Sequence, residues 1–317
     1  MRIIKTVLYF VVMALIVAIL SVGIHAFFDS SQDDSSSRVE IGLVLTDSKD
    51  RWERVLYDNI GQLAEKQGLR VTTAQCGRSL AEQVEVVRQL MAKGATVIIF
   101  SPLMDGGWSD TLLQAKELGV ELLTVNESIS DRVPEGSEVR HVGYDYEKVG
   151  SYLGTHFLNR TQGKTGRYIS LLGSVTSYTS NQIAEGFQQS LLEKGSGLSA
   201  FGVSGDYDRT QAHMVVNGLL ESGYEFQELI SYGDGMTLGA IDALRENGLA
   251  PGRDVHIYAV GGTEEIMEAF QDGEINVLLR CDPVELAQRV ISNIVPAEET
   301  GGEEQETLLS AGVLLGV

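Results

Sequence analysis

The chain has 317 residues, 43% of them hydrophobic, which is enough to build more than one core. Lys and Arg number 24 against 44 Asp and Glu, and the formal net charge of -20 repels a phosphate backbone and excludes nucleic acid as a partner. Its two cysteines, Cys76 and Cys281, are too few for a disulfide framework and too far apart for a Cys-x-x-Cys redox or zinc motif.

The chain opens Met1-Arg2-Ile3-Ile4-Lys5, and Thr6 to Phe28 then contains no Asp, Glu, Lys or Arg. A hydrocarbon core of about 30 Å needs about 20 apolar residues. The pattern therefore predicts a cytoplasmic stub and transmembrane anchor over 1–28, with Arg2 and Lys5 holding the short end inside the cell. A cleaved signal peptide is the alternative, but Ile24-His25-Ala26 lacks the small first residue of an Ala-x-Ala site, and no cysteine follows to carry a lipoprotein anchor. The polar stretch after it, Asp29 to Ser37, has no apolar periodicity and reads as a flexible linker over 29–38.

From Val39 onward apolar runs alternate with amphipathic stretches. Strands are expected at Glu40 to Leu45, Arg70 to Thr73, Ala95 to Phe100, Val120 to Val125 and Val139 to Val142, with helices near Trp52 to Gln67, Leu80 to Ala92 and Ser109 to Leu118, each closed by a glycine. A second series follows. Its strands lie near Arg167 to Leu172, Ser199 to Val203, Leu229 to Ser231 and Val255 to Val260, and its helices near Gln182 to Lys194, Gln211 to Glu221, Met236 to Glu246 and Glu264 to Gln271. A strand at Ile275 to Leu279, a helix from Pro283 to Ile294, an acidic loop and a last apolar run from Leu308 complete the chain. Strand-helix alternation with short loops predicts an α/β fold of two similar doubly wound parallel-sheet lobes. Asp234, in Gly233-Asp234-Gly235 between a strand and a helix, stands either as a binding residue at the carboxyl end of the sheet or as the helix cap.

Several motifs in order resemble the type I periplasmic solute-binding proteins of the ribose and galactose class, whose fold is shared with the ligand domains of lac-repressor-like regulators. They are Ile41-Gly-Leu-Val-Leu with Trp52 after it, the run from Glu82 to Pro102, Ala115 to Val125, Val142-Gly-Tyr-Asp-Tyr-Glu, Glu185-Gly-Phe, Gly233-Asp-Gly-Met-Thr-Leu-Gly-Ala and Cys281-Asp-Pro. The resemblance implies one lobe from 39–144 plus 281–308 and a second from 145–280 plus 309–317. It also implies three hinge crossovers, near Gly143 to Asp145, Arg280 to Asp282 and Thr307 to Ala311, with the ligand in the cleft between lobes.

By the same resemblance Trp52 and Tyr207 match the aromatics that stack on a sugar ring, core packing being the alternative for Tyr207. Other positions depart from the family pattern. Its Asp-Arg pair after the fourth strand stands here as Asn126-Glu127, the arginine upstream of Gly-Phe as Asn181, and the hinge glutamine as Cys281. The candidate ligand-binding residues are therefore Trp52, Asn126, Glu127, Asn181, Tyr207 and Asp234. With Asp47 nearby, they make a neutral to acidic pocket suited to a neutral polar or a cationic ligand.

No enzyme motif competes. Gly233-Asp-Gly-Met-Thr-Leu-Gly misses the dinucleotide fingerprint by one residue, no phosphate-binding Gly-x-x-x-x-Gly-Lys loop occurs, and the histidines lack metal spacing. Ser174 and Ser177 lie in a polar loop without a Gly-x-Ser-x-Gly elbow. Neither catalysis nor a cofactor is expected. The expected partners are a small polar, sugar-like ligand and a membrane permease of the ABC type or, alternatively, a sensor histidine kinase.

Overall fold

The computed structural model describes residues 39–162, 166–193, 199–294 and 306–316. The expected anchor and linker lie outside these; among the described residues no helix is long and apolar enough to cross a membrane. The first lobe runs through β1 (Glu40–Thr46), α1 (Arg51–Lys66), β2 (Arg70–Cys76), α2 (Leu80–Ala92), β3 (Val97–Phe100), α3 (Ser109–Leu118), β4 (Glu121–Val125) and β5 (Val139–Tyr144). The second holds α4 (Tyr146–Thr161), β6 (Arg167–Leu172), α5 (Tyr178–Glu193), β7 (Ser199–Ser204), α6 (Arg209–Glu221), β8 (Glu228–Ser231), α7 (Asp234–Glu246), β9 (His256–Gly261), α8 (Glu264–Gln271) and β10 (Val277–Arg280). The chain then returns to the first lobe with α9 (Pro283–Ile294) and β11 (Glu306–Leu309), and ends in the second with β12 (Gly312–Leu315).

Each lobe is one sheet of six described strands, ordered β11-β5-β4-β3-β1-β2 and β12-β10-β9-β8-β6-β7. All pairings are parallel except β10 with β12. The central strand Val97–Phe100 is buried at every position, as a strand covered by helices on both faces must be. Beside it Phe100 and Trp108 pack their rings 4.8 Å apart in a core with Val87, Leu90 and Leu112. The chain passes between lobes at Asp145, at Cys281–Asp282 and at Ser310–Ala311. Two of these passages are tied together: the Tyr144 hydroxyl donates to the Asp282 carbonyl (3.0 Å) and accepts from its N–H (2.8 Å).

Sequence periodicity does not single out α4, whose buried stripe of Val149, Leu153, Phe157 and Leu158 is interrupted by Gly150 and Gly154. The packing explains those glycines. Helix α4 lies so close on α5 that a Cβ on Gly150 would sit 2.1 Å from the Ile183 carbonyl oxygen, and one on Gly186 would sit 2.0 Å from that of Glu147. Backbone atoms cannot swing aside as a flexible side chain can. Gly150→Ala is therefore expected to destabilise the protein by about 1–3 kcal/mol, seen as a lowered urea midpoint. An unchanged midpoint would mean that the helices do not meet this closely in solution.

Candidate ligand-binding cleft

The strand carboxyl ends of the two lobes face each other, and the loops leaving them enclose a cavity of about 270 Å³. Its walls are Thr46 to Asp50 and Glu53 after β1, Arg78 and Leu80 after β2, Ser101 to Met104 after β3 and Asn126 with Glu127 after β4. Ser174, Thr176 and Ser177 after β6, and Asp206 and Tyr207 after β7, close it from the second lobe. A smaller cavity of about 40 Å³ adjoins it, sharing Asp50, Asn126 and Tyr207, and is lined further by Trp52, Tyr146, Thr179, Tyr232 and Asp234. Thus Trp52, Asn126, Tyr207 and Asp234 border one space and Glu127 the space beside it, whereas Asn181 is exposed on α5 and borders neither.

Backbone strain is concentrated here. Asn126, Asp206 and Tyr207 hold left-handed conformations, with φ of 64°, 50° and 55°, which cost non-glycine residues energy and cluster at functional sites. Tyr207 fits against two glycines: a Cβ on Gly173 would sit 2.2 Å from its ring and one on Gly233 would sit 2.9 Å away. Its hydroxyl lies 2.9 Å from Ser177 Oγ and 3.0 Å from Thr179 Oγ1. Both of those hydroxyls donate to Glu127 Oε1 at 2.7 Å, and the Thr179 N–H donates to Glu127 Oε2 at 3.2 Å. Burial raises the Glu127 carboxyl above its ordinary pKa, opposed by these hydrogen bonds.

Asp234 borders the smaller cavity but does not cap its helix. Helix α7 is capped by Gly233 without a side-chain bond, and the Asp234 carboxylate instead accepts from the Gly262 N–H (3.1 Å) and the Thr263 N–H (2.8 Å). It fixes the loop that enters α8. Gly261 is required beside it, because a Cβ there would fall 1.6 Å from Asp234 Oδ1. Burial lifts the Asp234 pKa to about 6. Asp50, which caps α1 by accepting from the Trp52 N–H at 2.9 Å, is also raised, first by burial and then by the negative charges of Asp234 and Glu53.

The periplasmic binding protein domain profile matches residues 41–298. The chain belongs to this family. Among curated relatives, the galactofuranose-binding protein YtfQ of Escherichia coli is 24% identical over 246 residues, 77% of each chain. The ribose import binding protein RbsB of Salmonella typhimurium is 23% identical over 258 residues, 79% of this chain and 84% of its own. The crystal structure of a galactofuranose binding protein superposes with a TM-score of 0.80 at 23% identity, covering 87% of this chain and 94% of that one. The Caulobacter myo-inositol binding protein, bound to myo-inositol, gives 0.79 at 18%, covering 88% and 94%. These relatives are solute-binding proteins and not enzymes.

In this periplasmic binding protein the lobes are drawn together across the cleft. Besides Glu127 with Ser177 and Thr179, the Tyr146 hydroxyl donates to Asn126 Oδ1, and the Trp52 indole N–H donates to the Cys281 carbonyl at 2.7 Å. Around the rim Lys49 pairs with Asp208 (2.7 Å), Arg78 with Asp206 (2.8 Å), and Arg51 with Glu265. Solvent screens each such pair to about 0–1 kcal/mol, but all of them join the two lobes and are lost when the cleft opens. The triple change Lys49→Ala, Arg51→Ala, Arg78→Ala is expected to enlarge the radius of gyration of the ligand-free protein at low salt, and the wild type should approach it at high salt. Identical scattering curves would exclude the rim pairs from setting the closed state. Sequence reading missed Asp50, Glu53, Ser177, Thr179 and the rim residues; their signal was a polar residue within a few positions of a strand's carboxyl end.

Proposed function

We propose that this protein is an extracytoplasmic solute-binding protein, held at the membrane by Thr6 to Phe28, that encloses a small polar, sugar-like ligand between its lobes and presents it to an ABC transporter. The observation that carries the reading is the polar cavity of about 270 Å³ closed by the first-lobe Glu127 against the second-lobe Ser177 and Thr179. That volume suits a monosaccharide-sized molecule rather than a peptide. Family membership and the names of the relatives support it: ribose import and galactofuranose binding among curated proteins, and the binding component of an arabinose ABC transporter from Shewanella among the similar folds. The uncharged stretch after Lys5 supports the anchor.

A thermal-shift panel of ribose, arabinose, galactose and myo-inositol on the full-length protein tests the binding role, because a ligand that binds only the folded form stabilises it, by about 2.7 kcal/mol at a hundred times its Kd. A raised Tm with one member supports it; a flat panel at millimolar concentration counts against it. Full-length chain in membrane fractions supports the anchor, and a soluble form beginning near Phe27 overturns it.

A further inference from the structure

We propose that the inner end of the cleft is an ammonium subsite, so that the ligand is a sugar or polyol carrying a positively charged nitrogen. The inference rests on the solute-binding role of the same cleft. The smaller cavity is bordered by four aromatic residues, Trp52, Tyr146, Tyr207 and Tyr232, together with two carboxylates, Asp50 and Asp234. Aromatic walls attract a cation through their electron-rich faces, and carboxylates supply the opposite charge. At about 40 Å³ the cavity has room for a single small head group, while the wider cavity beside it takes the polar body.

The charge around this subsite is unbalanced. Asp50 and Asp234 repel one another, and Glu53 adds to that repulsion at Asp50. Among the described residues, Lys49 and Arg78 are the cations bordering either cavity, and both lie at the rim with side chains 71% and 48% exposed. Each already holds a carboxylate of the second lobe, Asp208 and Asp206 respectively. Backbone N–H groups of Gly262 and Thr263 hold Asp234, and that of Trp52 holds Asp50, but among the described residues no cation borders the inner cavity to balance the two charges. An ammonium between them supplies that charge. A neutral sugar does not.

Isothermal titration of the full-length protein with glucosamine, galactosamine and mannosamine, each against its parent hexose and its N-acetyl form, tests the assignment. The amines are expected to bind at least about ten-fold more tightly than their neutral counterparts at neutral pH, with the advantage shrinking as salt rises. Asp50→Asn keeps the helix cap, since Asn caps as well as Asp. It should remove most of the amine preference, read within the variant as the ratio of amine to parent-hexose affinity. Neutral hexoses binding as tightly as the amines would overturn the ammonium subsite and leave solute binding intact. No binding by any member would count against both.

Discussion

Trp52→Ala is expected to lower the free energy of unfolding by about 3–5 kcal/mol, the range for removing a buried aromatic side chain. Trp52 is only 7% exposed, although it lies in the first turn of α1 at the mouth of a strand-to-helix loop. Its indole N–H reaches the Cys281 carbonyl, 229 positions away, at the second passage between lobes. The substitution therefore removes apolar packing and also leaves a buried carbonyl without its donor, a separate cost of about 1–3 kcal/mol. Trp52→Phe separates the two contributions, since it keeps most of the packing and loses the N–H; it should cost less than half as much as the alanine. Urea unfolding of the three proteins gives the comparison. A loss below about 1 kcal/mol for Trp52→Ala would show that folding does not need this side chain.

That contrast marks what the sequence could convey. The strands were legible because runs such as Val97–Phe100 are buried on both sides and so are apolar throughout. Helix α4 was not, because the glycines that let it approach α5 interrupt its apolar stripe. The position of Trp52 beside the cleft was also legible from its place after β1. Its burial was not, since it depends on a passage near the far end of the chain. The same holds for Glu127, whose partners are 50 and 52 positions distant and belong to the other lobe. Asn181 shows a different limit. Helix α5 begins at Tyr178, four residues before its expected start, which places Asn181 on the solvent-exposed surface of the helix rather than in the loop facing the cleft.

The second large effect is on pH dependence. The Asp234 carboxyl has a pKa of about 6 in the folded protein against 3.8 for an unperturbed aspartate, because burial disfavours its charged form more than the Thr263 and Gly262 bonds favour it. Between those values the folded state binds more protons than the unfolded one, so stability falls as pH rises. The contribution of Asp234 is fully present below about pH 4 and is lost by about pH 6, a change of about 3 kcal/mol at 1.36 kcal/mol per pKa unit. Asp50, Glu53 and Glu127 are all raised by burial and act in the same direction, while Arg54 opposes the shift at Asp50. Acids held low by a partner, such as Asp208 beside Lys49, act in the opposite direction in both wild type and variant. The difference between wild type and Asp234→Asn therefore isolates the buried group. The variant's advantage in unfolding free energy should grow as pH is raised from about 4 to about 7, because its amide has no charge to bury. An advantage that is constant across that range would show that Asp234 stays ionised in the folded protein, held by the N–H groups of Gly262 and Thr263 and not disfavoured by its burial.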